Sequence, residues 1–128
     1  MRSGGLLALE VVPASPWLDG LLLAELAGEL GDAGLDRLLA IYESDLVKRL
    51  GLLAMHLSSG DGAATRRVLH AMAGASASAG AAGLAALCRS CMVLATIGAE
   101  TLGEIETAAL GTLAALGARR RAVFGAAL

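Results

Sequence analysis

Two histidines, two cysteines and a few clustered charges are the residues of this 128-residue chain whose types allow chemistry beyond packing. His70 stands out by its surroundings. It lies in RRVLHAMAGASASAGAAGLAALC, residues 66–88, where no charge follows Arg67 until Arg89. A neutral imidazole offers a free ring nitrogen near pH 7, so it can serve as nucleophile, base or metal ligand. His56 is the other histidine. It sits just before SSGDG, near the end of a helical pattern, where pairing with the helix's negative end is the simpler reading.

Cys88 and Cys91 form a C-x-x-C. A thioredoxin-type pair opens a helix beside a strand, whereas this one follows GLAAL inside a helical pattern. A zinc site needs more ligands than the sequence offers nearby. Structural thiols are expected, with no metal and no cofactor. Glu43 and Asp45 read as a solvated part of a helix. Arg119–Arg121 read as basic residues set against the negative end of a last helix, ahead of any RNA or membrane contact. No G-x-x-x-x-G-K-[ST] and no kinase-type glycine-rich loop is present, so no kinase activity of its own is expected.

The chain that must position these residues is 56% apolar but only 2% aromatic. Its core must come from Leu, Ala, Val, Ile and Met, and strand formers are scarce. An all-α fold follows, as one domain over residues 16–128 behind a loose segment 1–15. The net charge of −2 gives no footprint for nucleic acid. Residues 68–88 are uncharged but mostly Ala, Gly and Ser, too weakly apolar to favour a membrane. MRSGGLLALEVV is a poor signal peptide. A soluble, cytoplasmic chain is expected.

Periodicity divides the chain into five helices. Ser15 as N-cap and Pro16 at the first position open a helix to Leu30, with Leu18, Leu22, Leu26 and Leu30 every four residues and Leu23 widening the stripe. Gly31–Asp32 ends it and caps the next, Ala33–Leu57, striped by Leu35, Leu38, Leu39, Tyr42, Leu46, Leu50, Leu53 and Leu57. SSGDG breaks the pattern, and Asp61 caps a third helix from Gly62 to Ser78. Gly80–Gly83 reads as a turn before a fourth helix, Leu84 to about Ala95. TLGE, Thr101–Glu104, has the form of a capping box and opens a fifth helix to about Ala122. Short connections imply antiparallel neighbours.

On the third helix the residues three and four away from His70 share its face. They are Arg66, Arg67, Ala73 and Gly74, with Ala77 one turn further. The face runs basic, then imidazole, then bare. Ala64, Val68, Ala71, Met72 and Ala75 make the opposite, core side. Gly74 costs about 1 kcal/mol relative to Ala in a helix, which suggests that something approaches the backbone there. Two readings stand. Either His70 is an idle surface histidine and the small residues serve close packing, or the patch is where another protein reaches the imidazole.

AIYESDLVKRL, followed by SSGDGAATRRVLHAMAGASASAGAAGLAALCRSC, resembles the histidine-containing phosphotransfer (HPt) domain family from Leu30 to about Ala95. The family shows a helix with Phe or Tyr and an acidic residue, a Gly-Asp turn, then His followed by Lys-Gly-Ser. A Gly-Ala turn and Leu-Ala-x-Leu-Cys come next. The phase of His70, Gly74, Gly80 and Cys88 is kept. The resemblance implies an antiparallel four-helix bundle of HPt type with an additional N-terminal helix. It implies a monomeric phosphocarrier phosphorylated on His70, with Arg66, Arg67, Ala73, Gly74 and Ala77 docking the partner. That partner is a response-regulator receiver domain or hybrid histidine kinase, which brings the Mg²⁺. One departure is Ala73, where the family has a Lys that helps hold the phosphoryl group. Arg66 is a candidate substitute cation. The same departure leaves a second reading, a degenerate HPt-like module that binds a receiver or kinase without carrying phosphate.

Overall fold

A computed structural model describes residues 15–124, with side chains through residue 122. Four helices follow in order: α1 (Gly20–Ser58), α2 (Gly62–Ser78), α3 (Ala82–Met92) and α4 (Ala99–Phe124). No strand occurs among the described residues. α1 is two helical limbs, because Gly31 takes φ 76° and ψ 165° and interrupts it. That break falls at the Gly31–Asp32 signal, and only glycine adopts such a φ readily. The limb 20–30 is the additional N-terminal helix, and the limb 32–58 with α2, α3 and α4 makes the bundle. Each helix packs on the next, and α4 closes the ring on α1.

The ends of α1 and α2 follow from capping groups. Asp19 accepts from the Leu22 amide at 3.1 Å and opens α1. Asp61 accepts from the Ala64 amide at 2.9 Å and opens α2, whose span is the expected one. Three expectations are corrected. Ser15 does not cap α1; its hydroxyl accepts from the Trp17 amide at 3.1 Å in a preceding turn. α3 begins two residues before Leu84 and ends at Met92, because Ala81 is at its N-cap without any side-chain bond to mark it. Thr101 does not cap α4; the Leu102 amide already bonds the Gly98 carbonyl at 3.1 Å, so the helix starts at Ala99 and Thr101 lies in its first turn.

The core is a leucine seam. Leu35, Leu39, Tyr42, Leu46 and Leu53 of α1 meet Leu69 and Met72 of α2, Leu84 and Cys88 of α3, and Ile105, Ala109 and Leu116 of α4. In the N-terminal limb the anchor is Leu23, fully buried, while Leu30 is exposed. The break at Gly31 turns the limb so that Leu23 meets Gly80, where a Cβ would come within 2.8 Å of the Leu23 side chain. Gly80 has φ 81°, so the tight approach and the backbone both require glycine. Trp17 fixes the same end. Its backbone oxygen accepts from the Gly83 amide at 3.2 Å, and its indole lies against Gly111 of α4, where a Cβ would come within 2.5 Å of Nε1.

Arg120 is not a helix-end partner as expected of Arg119–Arg121. α4 continues past it, and it bridges to α1, with Nε 2.6 Å from Asp36 and Nη1 2.6 Å from Glu43. Asp36 first, then Glu43, holds its guanidinium further toward the charged form. Glu43 is therefore an interhelical partner, while Asp45 pairs within its own helix with Arg49 at 2.6 Å.

Candidate functional site

α2 carries His70 at its middle, with the side chain exposed. Four of its five expected neighbours on that face lie at or near the surface. Arg67 and Gly74 are exposed, Arg66 and Ala77 half-exposed. Nothing lies within 4 Å of where a Gly74 Cβ would be, so packing inside the chain does not demand glycine there. The bare patch is open space beside an imidazole.

Ala73 is different. It is 3% exposed and belongs to the core, so it is not part of a surface that a partner can touch. The buried arc of α2 is Ala64, Thr65, Val68, Leu69, Met72, Ala73 and Ser76; Ala64, Val68 and Met72 are the expected core residues, and the arc extends from them toward Leu69 and Ala73. Ala71 and Ala75 are only half-buried. The reason is packing: α2 is wedged between α1 and α3, and Leu69 and Ala73 join the core they enclose.

Arg66 is also placed otherwise than expected. Its Nη1 donates to the Met92 carbonyl at 2.8 Å, and its Nη2 to the carbonyls of Leu94 and Ala95 at 2.9 and 3.4 Å. These are the unpaired carbonyls at the end of α3 and just beyond it. The guanidinium is committed to closing that helix end, which removes it as the substitute for a phosphoryl-binding lysine. Sequence spacing could not show this, because the acceptors come from 26 to 29 residues away.

Cys88 and Cys91 are buried free thiols. Burial first, then the neighbouring Cys91, pushes the Cys88 thiol up to about 11. Burial, then Glu104, also raises Cys91. Such thiols are poor nucleophiles near neutrality. His56 is half-buried in the last turn of α1. It lines a cleft of about 240 Å³ with Leu57, Thr65, Arg66 and Ile97. Beneath the His70 helix, the Tyr42 and Ser76 hydroxyls meet at 2.6 Å in a buried bond between α1 and α2. Tyr42 was legible as a core residue, and its hydroxyl partner was not.

The pattern of the Hpt domain matches residues 37–122 of the chain. The chain belongs to the Hpt domain family. Its fold is similar to the crystal structure of histidine-containing phosphotransfer protein B (HptB) from Pseudomonas aeruginosa PAO1, with TM-score 0.74 and 26% identity, covering 84% of this chain and 98% of that one. A comparison with curated proteins finds no match. The chain is thus a histidine phosphotransfer protein in the general sense, of a family that carries phosphoryl groups and works with receiver domains and histidine kinases. Among the described residues no helix is long and apolar enough to cross a membrane.

Proposed function

We propose that His70 accepts a phosphoryl group from the aspartyl phosphate of a receiver domain and passes it to the aspartate of another. The observation that carries this is the placement of His70, an exposed imidazole at mid-helix in the Hpt-matched region, beside the open surface of Gly74. The lone pair of one ring nitrogen forms the N–P bond as the acyl P–O bond breaks. The electron pair of that bond stays on the leaving carboxylate. The proton on the other ring nitrogen passes to water, discharging the added positive charge.

Such a transfer depends on alignment and electrostatics more than on covalent help. Mg²⁺ belongs to the receiver, so this chain needs only a nucleophile and a fitting surface. A rigid helix supplies the first, and the bare flank of Gly74 and Ala77, rimmed by Arg67, supplies the second. The reading includes a cytoplasmic setting and action as a monomer. The test is transfer of labelled phosphate from phosphorylated receivers. Wild type becomes labelled with an acid-labile phosphate, and His70→Ala does not. Equal labelling of both proteins overturns the proposal.

Ala73 favours the second reading, a module that binds a receiver without carrying phosphate. Its signature is tight receiver binding that survives His70→Ala, with no labelling of wild type by any receiver.

A further inference from the structure

We propose that Arg89 of α3 binds the phosphoryl group on His70, filling from the neighbouring helix the role left empty at Ala73. This rests on the phosphotransfer reading above. α2 and α3 run antiparallel and are joined through the short turn 79–81. At their other end Arg66 holds the Met92 carbonyl. Position 78 thus faces 82 and position 66 faces 92, so His70 lies level with residues 88–90.

The flank is fixed as well. Arg66 reaches α3, and His70 follows it one turn later on the same side of α2. On α3, Cys88 and Cys91 are buried in the core, and Cys91 lies near enough to Glu104 of α4 for its charge to act on the thiol. Ala85 and Arg89, one turn apart, fall on the remaining flank, toward α2. Ala73, Ala81 and Ala85 are all buried. Small side chains let two helices approach closely. His70 and Arg89 are both exposed, and they stand on the two rims of this narrow seam at one level.

The other cations near His70 are less suited. Arg66 is spent on the carbonyls at the end of α3. Arg67 is a turn from His70 but lies further round α2, away from the seam. A phosphoryl group on the imidazole presents several anionic oxygens, and a guanidinium can grip two of them at once.

The test uses the whole chain with phosphoramidate as donor, which needs no receiver. The imidazole lone pair forms the N–P bond as the donor's P–N bond breaks and ammonia leaves. Arg89→Ala is expected to label His70 more slowly, by up to about tenfold for a solvent-exposed charged contact. In a phosphorus NMR titration it raises the pKa of the bound phosphoryl group, and Arg89→Lys restores much of both. Arg67→Ala has the smaller effect. Arg89→Ala labelling and titrating like wild type overturns the inference, as does an Arg67→Ala variant showing the larger effect. If wild type and His70→Ala are equally unlabelled by phosphoramidate and by receivers, the phosphotransfer reading itself falls and this one with it. Loss of the Arg89 effect with wild-type labelling intact removes this inference alone.

Discussion

Arg66 donates from α2 to the Met92 carbonyl at the end of α3, 2.8 Å away, and thereby ties the helix that carries His70 to its neighbour. A hydrogen bond from a charged group contributes about 1.5–3 kcal/mol, less where water competes. Arg66→Ala is expected to lower stability by about 1–2 kcal/mol and to fray the end of α3. Labelling of His70 by a small donor changes little in the folded protein. Denaturant melts and hydrogen exchange at residues 92–95 check the first part, and labelling kinetics the second. A rate loss without a stability loss would mean that Arg66 serves the chemistry after all.

Ala73→Lys separates stability from rate. Ala73 is buried in the core, so four extra side-chain atoms and a charge must find a way out. Overpacking of this kind costs about 1–3 kcal/mol. An ammonium that escapes to the surface emerges one turn from His70 and favours the phosphoryl group. The variant is expected to melt earlier and to label faster, by up to about tenfold. Faster labelling with an unchanged melt would show that the core around Ala73 has more room than its burial indicates.

Gly74→Leu tests the docking face. A helical glycine costs about 1 kcal/mol relative to Ala, and a Cβ at Gly74 meets nothing within 4 Å. Stability should hold or rise. The added side chain occupies the space beside His70 that a receiver would use, so receiver affinity should fall by about tenfold or more, comparable to about 1.4 kcal/mol of lost contact. Titration calorimetry against a receiver domain checks it. Unchanged affinity would place the docking surface elsewhere.

The parts of the fold legible in the sequence were those encoded by neighbouring residues. Gly31 announced its break because the required φ is one that glycine adopts readily. Asp61 announced α2 because its carboxylate bonds an amide three residues on. His70 was legible as a surface residue because apolar spacing fixes which side of α2 is inward. The start of α3 was illegible, since Ala81 has no capping side chain. TLGE misled because a capping-box pattern inside a first turn looks like one at its edge. The roles of Ala73, Arg66 and Glu43 depend on groups on other helices. Nothing at spacings of three or four residues records the α3 carbonyls that hold Arg66, or the Arg120 that meets Glu43.

The Tyr42–Ser76 bond gives the last prediction. Both residues are buried and their hydroxyl oxygens are 2.6 Å apart. Tyr42→Phe leaves the Ser76 hydroxyl without this partner, at a cost of about 1–3 kcal/mol. Adding Ser76→Ala should return part of that loss, because removing both hydroxyls leaves no orphan. The same pair gives the fold a pH limit. Burial raises Tyr42 from 10.0 to about 12, with the Ser76 bond pulling the other way, and burial raises Cys88 from 9.0 to about 11. In both cases the neutral form is the one that the folded state favours. Their contribution is therefore complete below about pH 9 and is lost as pH rises toward 11 and 12. Denaturant midpoints should fall progressively over that range, and Tyr42→Phe should remove the upper part of the fall while leaving the Cys88 part. A flat profile in wild type between pH 9 and 12 would mean that neither group titrates against a buried, neutral-preferring site.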